Sequence, residues 1–282
     1  MIELPEAIVL ARQLNDSIAG KRVEQVVAGA TPHKLAWYYG DPAEYDALLC
    51  GRVIGRTQPY GGRVEISTAG ADGQSEVVLH FGDGVVLRYV GPEEARPAKH
   101  QLLVGFEDGS ALIGTVAMYG GLWVFPAGAM SDNFYYTAAK EAVPPLTERF
   151  DYDYFLSLFD AKSTALSAKA FLATEQRIPG LGNGVLQDIL LNAKVHPRTK
   201  MSSLSPAQRR QVYDSLKTTL AAMVADGGRD TERDLFGQPG GYQTMLSRNN
   251  IALTCPVCGG QVVKENYLGG AIYYCQTCQP RQ

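Results

Sequence analysis

The feature that most limits what this chain can fold into lies at its end, in CPVCGGQVVKENYLGGAIYYCQTCQ. Two Cys-x2-Cys pairs, Cys255/Cys258 and Cys275/Cys278, stand 16 residues apart. Four thiolates at this spacing complete a tetrahedral zinc shell, and the stretch between them reads as a β-hairpin turned at Leu268-Gly269-Gly270. Four protein ligands leave no open position, so one structural Zn2+ is expected and not a catalytic one. The fifth cysteine, Cys50, stands alone. An odd count with four clustered residues argues against a disulfide scaffold. Such a module stiffens a hairpin that touches a partner, and its spacing does not separate DNA, RNA and protein.

The 282 residues, 45% of them apolar, suffice for two domains. No apolar run reaches the length of a membrane span, and no basic segment followed by an apolar one marks secretion. A cytoplasmic protein, associated with the bacterial nucleoid, is expected. The net charge of -3 hides an asymmetry. From residue 160 onward there are 14 basic and 9 acidic residues; the remaining 12 basic and 20 acidic residues precede them. The positive half can face a phosphate backbone, or simply reflect ordinary surface variation.

Pro5 and Glu6 can open a helix that Ala7, Ile8, Val9, Leu10 and Ala11 continue, after a short, partly apolar lead-in of Met1, Ile2 and Glu3. Strand signals follow at 21–29, 51–58, 62–69, 75–81, 84–90, 100–107 and 110–125, punctuated by AGADGQ, FGDG and FEDGS. Residues 1–140 thus read as one helix plus a β-sandwich or barrel. EAVPPLTERFDYD supplies a linker at 141–150, stiffened by Pro144 and Pro145. Helical spacing then appears at 151–160, 165–176, 183–194 and 206–225, with Ser205-Pro206 as cap and first turn of the last. The Gly-rich stretch 227–250 reads as a long mobile loop closing a helical domain of 151–250, and 251–282 form the cysteine module.

A second motif is AFLATEQRIPGLGNGVLQDILLNAKVHP. A helix ends near Arg177, and another begins at Asn183. Gly180 and Gly182 let the backbone approach a ligand, and the free N–H groups of the second helix suit a phosphate. A plain helical hairpin is the other reading of the same turn.

An N-terminal ELPE, a GLGN turn between helices followed by HP, and a terminal four-cysteine finger occur in that order. In this the chain closely resembles the formamidopyrimidine-DNA glycosylase and endonuclease VIII family. The resemblance runs nearly the whole length and is strongest at 1–10, 168–206 and 255–279. It implies an α+β multidomain fold: an N-terminal helix with a β-sandwich, then a helix–two-turn–helix domain ending in a zinc finger. DNA would lie between them, duplex with a damaged or abasic site, bound by a monomer. It implies base excision repair by a DNA N-glycosylase with AP-lyase activity. The target base is flipped out of the stack, and the amine of an N-terminal proline forms a Schiff base with the sugar. By the same resemblance Glu3 matches the catalytic glutamate, Glu6 the second N-terminal carboxylate, Asn183 a phosphate-holding amide, and Lys34 a backbone contact. Cys255, Cys258, Cys275 and Cys278 match the zinc ligands.

The sequence departs from that pattern at several points. Ile2 stands where the proline is expected. An isoleucine there implies that Met1 is retained, so the primary amine of Met1 would sit one residue further out, about 3.3 Å along the chain. Gly61 and Gly62 occupy the place of a lysine, with Arg63 the nearest base, suited to a phosphate but not to proton transfer. Asp83 and Met118-Tyr119 replace the residues that fill the gap left by a flipped base. Tyr119 reads either as a wedge between bases or as a half-buried sheet aromatic. Gly270 takes the place of a phosphate-clamping arginine, with Lys264 on the other strand. Arg229, Arg233 and Tyr242 lie in the loop that would cover the flipped base, and contact either DNA or solvent. Two readings follow: a glycosylase of altered chemistry, with Glu3 activating water, or a non-cutting binder of damaged or structured DNA. An RNA- or protein-binding zinc ribbon is a third.

Overall fold

The computed structural model describes residues 1–69, 76–250 and 254–281. Helix α1 (Leu4–Ile18) is opened by Glu3, whose backbone N–H donates to the Glu6 carboxylate at 3.2 Å. Its apolar residues fall on two faces. Ala7, Leu10, Leu14 and Ile18 enter the core of the β-rich body, whereas Leu4 and Ile8 pack into the core of the helical body. One helix therefore serves both halves of the molecule.

The β-rich body is a seven-stranded sheet in the order β1 (Val23–Ala28), β6 (Leu102–Phe106), β7 (Ala111–Pro126), β5 (Val77–Val90), β4 (Arg63–Ala69), β3 (Val53–Tyr60). The short β2 (Ala36–Trp37) pairs with β7 in parallel. Strands β5 and β7 are long enough to belong to both layers of a sandwich. Residues 77–82 of β5 pair with β4, whereas residues 111–114 of β7 pair with β6. Side chains from both ends, among them Leu79, Phe81, Leu122 and Val124 on one and Leu87, Val104, Phe106 and Leu112 on the other, fill one core.

The expected break between strands at 75–81 and 84–90 is instead a bulge inside a single strand. The register shifts between Asp83 and Val85, and Asp83 takes a left-handed φ of 61°. A Gly-Asp-Gly signal marks a bulge as readily as a turn, which is why the sequence suggested two strands. The AGADGQ punctuation falls almost wholly outside the described residues. Two further helices, α2 (Tyr45–Leu49) and α3 (Phe134–Glu141), join the single one expected in this half. Helix α3 is capped by Asn133, which accepts from the Tyr136 N–H at 3.0 Å. It covers the outer face of the sheet through Tyr136 over Val78 and Phe125.

The helical body holds α4 (Tyr152–Ser157), α5 (Ala168–Ala173), α6 (Asn183–Asn192) and α7 (Pro206–Ala225). The expected helix at 165–176 stops early because Glu175 and Gln176 both adopt left-handed φ, 58° and 54°. Helix α7 opens with the anticipated Ser205 cap. The zinc module is an antiparallel hairpin of β8 (Val262–Tyr267) and β9 (Gly270–Cys275). The turn falls within the expected Leu268-Gly269-Gly270, and its two residues Leu268 and Gly269 have positive φ, the requirement of a type I′ turn. The stretch 227–250, expected as a mobile loop, is tied down by Asp230 N–H to Tyr242 O at 2.9 Å and by buried Leu235 and Leu246. Among the described residues no helix is long and apolar enough to cross a membrane.

Beneath α3, Glu65 accepts from Lys140 Nζ and from the Tyr136 hydroxyl, both at 2.8 Å. Burial raises the Glu65 pKa, but the nearby His80 ring, 3.5 Å away, and the bonds from Lys140 and Tyr136 outweigh it and bring it down to about 2. A carboxyl lowered from 4.5 to about 2 adds stability above pH 4.5 and loses it as pH falls through 2. Glu65→Gln should therefore cost on the order of 2 kcal/mol at neutral pH. In paired acid titrations the deficit relative to wild type should shrink between those two pH values.

Candidate functional site

The site is built around the head of α6. Helix N-termini leave their first N–H groups without partners, and the side chain of the capping residue normally serves them. The cap here is Gly182, which has none. The missing acceptor comes from 181 residues earlier. Glu3 Oε1 accepts from Gly184 N–H at 2.9 Å, and Oε2 from Val185 N–H at 2.8 Å. A Cβ on Gly182 would come within 2.5 Å of Glu3 Oε1, so any other residue there would push the carboxylate off the helix head. A similar limit applies one turn of chain earlier. A Cβ on Gly180 would come within 2.4 Å of the Gly61 and Gly62 backbone at the tip of the β3–β4 hairpin. The GLGN glycines, expected to admit a ligand, admit instead another part of the chain.

Glu3 and Glu6 share one cation. Arg229 Nε donates to Glu6 Oε1 at 2.9 Å and Nη2 to Glu6 Oε2 at 2.6 Å, while Nη1 lies 3.4 Å from Glu3 Oε2. All three side chains are nearly inaccessible; Arg229 is 2% exposed. Arg229, expected to reach DNA, is thus consumed inside the protein. Burial raises the Glu3 pKa against the pull of Arg229 and the two N–H donors, with the repulsion of Glu6 adding to the rise, and the net shift is upward. Burial also raises Glu6, but the forked bonds from Arg229 prevail and its net shift is downward.

The Met1 amine is paired with the Glu232 carboxylate. Ile2 is buried in the sheet core, and its N–H donates to Asp83 O at 2.7 Å. The β5 bulge therefore anchors the N-terminus, and the Asp83 carboxylate turns to Arg63 at 3.6 Å. Arg63 also lies over the Trp123 ring, 5.4 Å from its centroid, and is largely enclosed.

A cleft of about 500 Å³ opens beside these groups, lined by Met1, Glu3, Tyr119, Asn183, Arg229 and Glu232 among others. Lys34 and Arg63 do not line it. Lys34 is exposed in the segment before β2. Tyr119 packs against Trp37, 5.6 Å between ring centroids, and neighbouring Met118 is 63% exposed at the cleft edge. Asn183 leaves Oδ1 without a partner among the described residues, and its Nδ2 lies 2.2 Å from where a Cβ on Gly270 would fall. The hairpin tip is served from α5 instead. Lys169 Nζ donates to Tyr267 O and lies 3.5 Å from Gly270 O.

Three residues missed from the sequence hold this arrangement together. Gln187 donates to Ala271 O and accepts from Tyr273 N–H, both at 3.1 Å, joining α6 to β9. Asp188 accepts from Met245 and Leu246 N–H at 2.9 Å each, and burial raises it to about 6. Glu232 pairs with Met1. A Gln-Asp pair inside the apolar run VLQDILL was the signal available for the first two.

The four cysteine Sγ atoms lie within 4.8 Å of one another, with Cys255–Cys278 at 3.9 Å and Cys258–Cys275 at 3.5 Å. Thiolates about 2.3 Å from a common centre require such separations, so the four fit one zinc ion.

In fold and in sequence the chain is similar to DNA glycosylases. A model of the formamidopyrimidine-DNA glycosylase N-terminal domain matches residues 1–115. Formamidopyrimidine-DNA glycosylases of Bordetella petrii and of a Wolbachia pipientis strain are 28% and 26% identical, covering 99–100% of this chain and all of theirs. The MutM (Fpg) protein of Thermus thermophilus superposes with a TM-score of 0.80 at 27% identity, covering 99% of both chains. Lactococcus lactis Fpg, solved with abasic-site DNA, superposes at 0.81 with 21% identity. Over its whole length the chain is similar to the formamidopyrimidine-DNA glycosylases.

Native mass spectrometry should find one zinc per chain. Cys275→Ser should release it and expose the β8–β9 hairpin to proteolysis, because the small hydrophobic cluster there includes Cys255 and Cys275 themselves.

Proposed function

We propose that this chain binds damaged duplex DNA in the cleft between its β-rich and helical bodies and releases a modified base. The observation that carries this reading is the seating of Glu3 across the two bodies, on the head of α6 and at the cleft wall. The family relatives are named as glycosylases, and the Lactococcus lactis protein was solved with abasic-site and Fapy-dG DNA. Asn183, the first residue of α6 and part of the cleft lining, suits placement of a phosphate through its amide N–H.

The chemistry proposed differs from attack by a proline amine. Water attacks the sugar C1′ and passes a proton to the Glu3 carboxylate. The C1′–N bond breaks, and its electron pair leaves with the base, which takes up a proton. A carboxyl with a raised pKa suits this exchange near neutral pH. It must be ionised to accept the proton, so base release should fall as pH drops through that raised value. A second reading, binding without cutting, is favoured by the pairing of the Met1 amine with Glu232 and by the burial of Ile2.

Oxidised-base and abasic duplexes, with and without borohydride, separate the routes. Free base without a trapped adduct, lost on the order of 100-fold in Glu3→Gln, is the expected result. A trapped adduct would assign an amine mechanism, and neither product on any lesion would leave the binding reading. Asn183→Ala should weaken binding to abasic duplex by about 1–3 kcal/mol, measured by fluorescence anisotropy.

A further inference from the structure

The buried cluster at the N-terminus carries two carboxylates and one guanidinium, and the guanidinium is not shared evenly. Both hydrogen bonds of its fork go to Glu6, at 2.9 and 2.6 Å, and the Arg229 N–H adds a third at 3.3 Å. Glu3 receives only Nη1 at 3.4 Å and relies on backbone N–H groups. Two buried carboxylates with a single cation leave one excess negative charge. A proton entering the cluster cancels it, and enters at the carboxyl without the fork.

The path of the guanidinium is built into the chain. Gly184 lies where a Cβ would fall 1.4 Å from Arg229 Nη1, so the first turn of α6 accommodates the arginine only as glycine. Other groups around the pair are already engaged. Glu232 holds the Met1 amine and Asp83 faces Arg63. Tyr119 stands at the cleft on β7, and Asp188, one helical turn along α6, is bound by the Met245 and Leu246 N–H groups.

We propose that Arg229 is a positioning residue that divides the Glu3/Glu6 pair: its fork fixes Glu6 as a permanent counter-ion and leaves Glu3, held on the α6 backbone, as the carboxyl that exchanges a proton. The exchange itself rests on the glycosylase reading above. The division of the pair does not, because it is a property of the protein without DNA.

The test is carboxyl titration by NMR on the full chain, zinc bound, with 13C-labelled glutamate and assignment by Glu3→Gln and Glu6→Gln. The wild type should show two separated midpoints, Glu6 below the ordinary glutamate range and Glu3 above it. Arg229→Gln should move Glu6 up by about one pH unit or more, towards a coupled titration shared with Glu3. Arg229→Lys restores the charge without the fork, and should give a separation intermediate between the two. A purely structural role would lower the melting temperature and leave Glu6 low, which overturns the proposal. If Arg229→Gln does not fold, Arg229→Lys decides, because an unchanged separation there also overturns it. No DNA or turnover enters this measurement. Base release with unseparated midpoints sinks only the role of Arg229, whereas separated midpoints without base release sink only the glycosylase reading.

Discussion

The structure depends on a helix that is capped by a residue outside its own segment. Helix α6 has a glycine as its cap, which cannot serve its N–H groups, so it completes itself on Glu3, the residue that opens α1. An N-cap side chain contributes about 1 kcal/mol in ordinary helices. Here the acceptor is a buried carboxylate, which also needs those donors to be tolerated out of water. Each partner would be costly alone. The interaction therefore sets the mutual placement of the β-rich and helical bodies as well as that of a single side chain.

From that point α6 distributes position to the rest of the site. Its second turn holds the zinc hairpin through Gln187 and residues 245–246 through Asp188. Helix α1 does the same on its side, with one face in each hydrophobic core. The cleft walls are consequently attached to two short helices that meet at one carboxylate, and little of the site hangs on free loop.

Much of this was legible beforehand because its causes are local. The cysteine spacing, the I′ turn at Leu268-Gly269, the Ser205 cap and the alternating strands each follow from a few neighbouring residues. The misreadings had non-local causes. Asp83 looked like a turn because the N–H of Ile2, which its carbonyl accepts across the bulge, lies far away in sequence. Arg229 looked like a DNA contact because a basic residue in a Gly-rich loop gives no hint that two acidic residues near the N-terminus will enclose it. The stretch 227–250 looked mobile for the same reason, its restraints being contacts with α1, α6 and its own distant end. Glu3 and Asn183 were identified by family resemblance, and neither their seating nor the Met1–Glu232 pair could be read from spacing.

The contact between Gly180 and the Gly61–Gly62 tip has a consequence for how the chain can vary. Backbone meets backbone there, with no side chain able to rotate out of the way. Gly61 and Gly180 also hold positive φ, at 57° and 87°. Positions more than a hundred residues apart thus behave as one unit of sequence. A methyl group gained at either cannot be offset by trimming the other, which has nothing left to lose. Variation in this chain must route around that point, where the β3–β4 hairpin and the turn before α6 are in direct backbone contact.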